Sequence, residues 1–85
     1  MNEKMSINIE IPGINTTHNF LVPSDMSVSK ITVLVLQTLM EEYPDAQGSK
    51  NENHMLIQES TGKALVQNCG LKQLGIVNGE TLLLV

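Results

Sequence analysis

The side chains in this sequence that could take part in catalysis or metal binding are few and lie far apart. Cys69, next to Gly70 in a turn-rich stretch, is the only thiol, and a thiol attacks as a nucleophile only when it is ionised. No sequence signature places His18 or His54 beside it to serve as the base. The two histidines also lack the spacing of a paired metal-ligand motif. We therefore expect an incidental or structural cysteine, no cofactor and no metal site.

Paired carboxylates are the second arrangement that could suggest catalysis. Glu41 and Glu42 are adjacent in a predicted helix, where neighbouring side chains point in different directions. Both carboxylates are therefore expected to lie in solvent at the end of the helix. Lys63 and Lys72 are most simply surface residues that favour solubility. The sequence predicts a protein that is not an enzyme.

Length and composition restrict the class of protein further. The chain has 85 residues, of which 41% are hydrophobic, so we expect one domain over residues 1–85 with residues 1–4 disordered. The net charge is −4 and no residue is an arginine, which disfavours nucleic-acid binding. No apolar run could span a bilayer and no signal-peptide pattern opens the chain, so membrane insertion is not expected. A single cysteine fits a reducing compartment, and we expect a cytoplasmic protein.

Alternation and turn residues predict the elements that position these side chains. Residues 5–11 alternate apolar and polar side chains, and residues 15–22 form a second strand that pairs with them as a hairpin. Ser27 is the predicted N-cap of a helix over residues 28–42, which Pro44 ends. Shorter strands are predicted at 54–58, 63–66 and 81–85.

This order of elements predicts an α+β fold. One helix packs across one face of a mixed sheet of four to five strands. The first and last strands are expected to lie side by side and parallel.

Several stretches resemble the ubiquitin-like β-grasp in their order and spacing. They are Val22-Pro23-Ser24-Asp25 before the helix, Gly62-Lys63-x-Leu65, Leu71-x-x-Leu74-x-Ile76 and Thr81-Leu82-x-Leu84-Val85. Within that superfamily the sequence is most similar to the YukD/EsaB family of small bacterial proteins. The similar stretches are residues 21–23, 31–36 and 74–80.

The resemblance implies a non-enzymatic protein-interaction module in the cytoplasm of a Gram-positive bacterium. It would be an accessory or regulatory factor of a type VII (ESX-like) secretion system, with membrane or ATPase components of that machine among its protein partners. A homodimer is left open. The alternatives are a ubiquitin-like sulfur or conjugation carrier and a ubiquitin-like adaptor of an unrelated bacterial complex. A carrier is disfavoured, because carriers end in a flexible Gly-Gly tail and this sequence ends in the predicted strand at Val85.

Strand alternation predicts one partner-binding surface. Leu82 and Leu84 are expected to fill the core, because alternate side chains of a strand point to opposite faces. The strand at 54–58 is assigned the phase that points Met55 and Ile57 toward the helix. The helix-free face then carries a group of three apolar side chains, the predicted partner-binding residues Leu56, Leu83 and Val85.

The predicted helix carries two apolar stripes. One faces the core and consists of Val28, Ile31, Val35 and Leu39. The other consists of Val33, Leu36 and Met40. We expect the polar loop at 44–53 or the segment at 71–74 to cover this second stripe. The alternative is that it forms a second partner or dimer surface.

Overall fold

A computed structural model of the protein describes residues 3–42 and 54–85. Five strands form one sheet in the order β2-β1-β5-β3-β4, and one helix packs against it. The elements are β1 (Lys4–Ile11), β2 (Thr16–Pro23), α1 (Val28–Glu42), β3 (Leu56–Gln58), β4 (Lys63–Ala64) and β5 (Glu80–Leu84), with a short 3₁₀ turn over Pro12–Ile14. This is the α+β architecture that the sequence predicts.

The first two strands form the predicted hairpin. Their register is unbroken from Lys4 opposite Pro23 to Ile11 opposite Thr16. Asn15 takes the left-handed conformation (φ 54°) that lets the chain turn between them. The core-facing side chains of β1 are buried, as its alternation predicts; they are Met5, Ile7, Ile9 and Ile11.

The helix has the predicted bounds and the predicted cap. Ser27 Oγ accepts the Lys30 N–H (3.3 Å), and further N–H groups of the first turn donate to carbonyl oxygens of the segment before β5. One face is buried against the sheet through Val28, Ile31, Thr32 and Val35. Pro44, predicted to end the helix, lies outside the described residues.

The last strand lies at the centre of the sheet. β5 runs parallel to β1, with Leu82 opposite Ile9, and antiparallel to β3. Gly79, at φ 88°, makes the turn into β5 and donates its N–H to the Ser6 carbonyl. Leu82 and Leu84 are buried, so the predicted phase and position of this strand are confirmed.

The predicted phase of β3 is wrong. Leu56 lies opposite Leu84, and residues directly opposite on paired strands share a face, so Leu56 is fully buried in the core. Met55 and Ile57 therefore point to the helix-free face. Three consecutive apolar side chains show no alternation, and the register with β5 decides which of them is buried.

The expected disorder of residues 1–4 is wrong for two of them. Lys4 is the first residue of β1, and the Glu3 carbonyl accepts the Ser24 N–H at 2.8 Å. Residues 1–2 lie outside the described residues. Among residues 3–42 and 54–85, no helix is long and apolar enough to cross a membrane.

Candidate protein-binding surfaces

Exposed apolar side chains cluster on the helix-free face, where β3 and β5 pair. Ile57 lies opposite Leu83, and Met55 exchanges two backbone hydrogen bonds with Val85, both 3.1 Å. Met55 and Val85 are 40% and 50% exposed, and the other two side chains are half-buried. These four residues are called the sheet patch.

Polar groups border the sheet patch on its β1 side. Glu10 lies opposite Leu83, and Asn8 lies opposite Thr81. The Asn19 amide donates to Ser6 Oγ (2.8 Å) and to Asn8 Oδ1 (3.0 Å). An apolar centre beside a hydrogen-bonded polar border has the anatomy of a protein–protein interface.

Two of the three predicted partner-binding residues belong to the sheet patch, and two residues that were not predicted complete it. Leu83 and Val85 lie on the predicted face. Leu56 does not, because it packs against the core side of β5. Met55 and Ile57 take its place, and the sequence offers no signal for them, since Met55, Leu56 and Ile57 are equally apolar.

The outer face of α1 is the second apolar surface. Val33 and Met40 are 52% and 46% exposed, so the expected cover over them is absent among the described residues. Leu36, the third predicted member, instead packs against the core. Leu34, at 43% exposure, is a further exposed apolar residue that the sequence did not indicate, and it lies about a third of a turn around the helix from Met40.

The two segments proposed as covers have different outcomes. The 71–74 segment is used by the core itself, with Leu71 fully buried and Leu74 packed against the core cluster. The polar loop at 44–53 lies outside the described residues. A shallow groove beside the helix is lined by Met26, Ser29, Lys30, Val33, Leu34 and Gln37.

Where the titratable residues form hydrogen bonds, those bonds stabilise the fold. Glu80 accepts hydrogen bonds from the Val77 N–H (3.1 Å) and the Gln58 side-chain amide (2.5 Å), which fixes the turn into β5. Cys69 is half-buried, and its carbonyl accepts the Val28 N–H (3.0 Å). Within the described part of the chain, no three His, Cys, Asp or Glu side chains come together as metal ligands.

The sequence matches no family model and no curated protein. Solved structures do match. The EccD5 ubiquitin-like domain from Mycobacterium xenopi is similar with a TM-score of 0.77 at 15% identity, over 98% of this chain and 93% of that one. The ubiquitin-like domain of the Mycobacterium tuberculosis type VII secretion system protein ECCD1 is similar with a TM-score of 0.66 at 20% identity, over 98% of each chain.

A third match belongs to a larger assembly. One chain of the MycP5-free ESX-5 inner membrane complex is similar with a TM-score of 0.75 at 15% identity, over 96% of this chain and 20% of that one. A ubiquitin from Caldiarchaeum subterraneum and the N-terminal ubiquitin-like domain of the 4931431F19Rik protein match as well. At these identities the likeness establishes the fold. The protein has a ubiquitin-like β-grasp, and type VII secretion domains are among its structural neighbours.

Proposed function

We propose that this protein is a non-enzymatic ubiquitin-like interaction module of the YukD/EsaB type. It acts in the cytoplasm as an accessory or regulatory factor of a type VII secretion system. Two observations support the proposal: the sequence resemblance, and the fold shared with ubiquitin-like domains of type VII secretion components. Because a fold alone does not define a function, the proposal depends on the surface that the fold presents.

The sheet patch is the observation that carries the proposal. Single exposed apolar residues are ordinary on protein surfaces, but a contiguous group on paired strands marks an interaction site. Ile57 and Leu83 lie on paired strands, and Met55 and Val85, which flank those strands, exchange two backbone hydrogen bonds, so the backbone beneath the patch is held in place before binding. A rigid apolar surface loses little conformational entropy when a partner covers it.

The partner is a protein with a complementary apolar surface. A membrane or ATPase component of the secretion machine fits, because one structural neighbour is a domain within an inner membrane complex. The protein has a net charge of −4. A basic partner surface opposite Glu10 would therefore strengthen the electrostatic attraction between the two proteins. This charge arrangement would set orientation and association rate, while the apolar centre supplies affinity.

The test is affinity capture from the native host with three single-aspartate variants. Leu83→Asp and Val85→Asp place a carboxylate in the sheet patch, where a covering partner would strip it of water. Val77→Asp is the matched control, because Val77 is 62% exposed in the turn before β5, at the other end of that strand from the patch. We expect the patch variants to lose the captured partner, the control to keep it, and all three to melt near wild type.

The same variants test the role in secretion. Deleting the gene should reduce export of type VII substrates, and wild type and Val77→Asp should restore export while Leu83→Asp should not. Normal export in the deletion strain would refute the secretion role. Full capture by both patch variants would refute the sheet patch as the binding surface.

A further inference from the structure

The outer edge of β2 carries backbone groups that the sheet leaves unpaired. The Ser24 N–H donates to the Glu3 carbonyl at 2.8 Å, which fixes which residue pairs of the hairpin exchange hydrogen bonds. In an antiparallel pair, bonded and non-bonded residue pairs alternate along the strands. Thr16, which is opposite Ile11, and the even-numbered residues after it therefore bond to β1. The N–H and C=O groups of Thr17, Asn19 and Leu21 point outward.

Within residues 3–42 and 54–85, this edge has none of the features that normally protect an edge strand. In natural proteins, an edge strand is kept from pairing with another chain by being short or by containing charged side chains, internal prolines or bulges. β2 has eight residues, none of them Lys, Arg, Asp or Glu, and its one proline is its last residue. Its register with β1 contains no bulge. The opposite edge of the sheet, β4, is only two residues long.

The edge is also open to solvent. Thr17, Asn19 and Leu21 are all exposed, and Leu21 is the most exposed large apolar residue described, at 63%. No described residue therefore covers the row of unpaired groups. An exposed, uncharged and regular edge of this length is a template for another strand.

We propose that β2 pairs antiparallel with β2 of a second copy, across a two-fold axis at Asn19. In this register Thr17 of one copy lies opposite Leu21 of the other, and Asn19 lies opposite Asn19. All three outward residues then exchange both of their backbone hydrogen bonds. The result is a symmetric dimer with one continuous sheet, in which both copies use the same edge.

Hydrogen bonds at the two ends of β2 favour the register with its axis at Asn19 over the registers in which the axis is shifted. Shifting the axis toward the end of β2 would bring in the Pro23 carbonyl, which already accepts the Met26 N–H at 3.1 Å. Proline also has no N–H to donate. Shifting it the other way would bring in Asn15, whose N–H donates to the Pro12 carbonyl at 3.2 Å and whose φ of 54° is not that of a strand. Only the axis at Asn19 pairs all three outward residues with one another.

The pairing geometry favours a second copy as the occupant, because the three outward residues of one copy pair completely with the same three residues of another. Each protein carries a net charge of −4, so two copies repel each other on average. The edge strand β2 has no Lys, Arg, Asp or Glu, whereas the other edge strand, β4, contains Lys63, so two copies can meet along β2 without bringing like charges into contact. Dimerisation should therefore strengthen as salt screens the residual repulsion. A charged foreign strand would find no complementary charge on β2.

The first experiment measures mass by analytical ultracentrifugation from micromolar to millimolar protein. We expect a shift from 9.3 kDa to twice that mass, at lower protein concentration in higher salt. Thr17→Pro removes one outward N–H without breaking a bond to β1, and it should raise the concentration needed for dimerisation at least tenfold. Thr17→Ala, the matched control, removes the side chain and keeps the N–H, so it should dimerise like wild type.

The second experiment fixes the register by disulfide formation in a Cys69→Ser background. Opposite residues of a bonded antiparallel pair have Cα atoms about 5.5 Å apart, which a disulfide can span. Thr17→Cys mixed with Leu21→Cys should therefore form a covalent dimer on mild oxidation. Either variant alone should not, because its two cysteines would lie roughly 13 Å apart or more along the strands.

Three outcomes would overturn the dimer. One is a monomer mass over the whole concentration range. Another is a dimer that Thr17→Pro leaves intact, which would place the interface elsewhere. The third is cross-linking of each single variant as efficiently as the mixture. Neither experiment involves the sheet patch, so a negative result here leaves the secretion role and its capture test unaffected.

Discussion

Leu56 lies directly opposite Leu84 in the antiparallel pair of β3 and β5, and both side chains are buried in the core. The same contact region holds Leu82, which is also fully buried and lies opposite Gln58. The Leu56 carbonyl accepts the Leu65 N–H at 2.9 Å, which ties the next part of the chain to β3. Leu56 therefore joins the short strands β3 and β4 to the rest of the domain.

Truncating Leu56 should destabilise the protein strongly. Leu56→Ala should lower the free energy of unfolding by about 2–5 kcal/mol, since the buried leucine loses its transfer energy and leaves a cavity. That is a large part of the roughly 5–15 kcal/mol that holds a small domain folded. Urea unfolding followed by circular dichroism measures the change.

Met55→Ala is the matched control, because Met55 precedes Leu56 and points to the opposite face. Its side chain is 40% exposed, so the expected loss is within about 0.5 kcal/mol. Equal losses at the two positions would contradict the phase of β3. Leu56→Asp should unfold the domain, because it buries an unpaired charge.

The sequence predicts the position and the buried face of an element well when many residues of that element carry the apolar pattern. The β1 alternation runs over residues 5–11 and the helical stripe begins at Val28, so both elements are predicted with their correct faces. β3 has only three residues, and a core could accept either Leu56 or Ile57 on hydrophobicity alone. The phase of β3 is set by its pairing with β5, a long-range contact that cannot be read from these three residues alone.

The candidate surfaces follow the same rule. The face of Leu83 agrees with the prediction, but Leu82, Leu83 and Leu84 are equally apolar, so the phase of β5 is fixed by its pairing with β1 and not by its own sequence. The exposure of Val33 and Leu34 could not be predicted, because an apolar helix face is covered or exposed according to the segments that pack on it. The unprotected edge of β2 likewise appears only when the strand order of the sheet is known.

The helix cap gives a second stability prediction. Ser27→Ala should lower the free energy of unfolding by about 1 kcal/mol, because the Lys30 N–H loses the hydroxyl that accepts it. Gln37→Ala is the control, because Gln37 is exposed on the same helix and lies well away from the cap. It should change stability by about 0.5 kcal/mol or less. Equal effects in thermal melts would refute the cap.

The third stability prediction compares an exposed residue of the helix with a buried one two positions away. Val33→Asp should leave the melting temperature nearly unchanged, since Val33 is 52% exposed and valine and aspartate have similar helix propensities. Ile31→Asp should unfold the domain, because Ile31 is fully buried and the carboxylate would have no partner. A strong loss of stability in Val33→Asp would mean that another part of the chain covers this face.

The last prediction concerns the contact between Gly70 and the turn before the helix. A Cβ atom at position 70 would lie 3.0 Å from the Asp25 carbonyl oxygen and 3.1 Å from its carbonyl carbon. These are backbone atoms, and they are held in place by the bridge between Ser27 and Gly70 and by the Lys72 N–H bond to the Ser24 carbonyl (3.1 Å). The added methyl group therefore has to push two bonded segments apart.

Gly70→Ala should consequently lower the free energy of unfolding by about 1–3 kcal/mol, which is the usual cost of overpacking a close contact. Gly13→Ala is the matched control, since nothing lies within 4 Å of a Cβ at Gly13. That variant should be neutral or more stable by up to about 1 kcal/mol, because alanine restricts the unfolded chain. Chemical denaturation of both variants decides the matter. If Gly70→Ala is as stable as Gly13→Ala, the 66–71 segment does not pack against the start of the helix as closely as these contacts require.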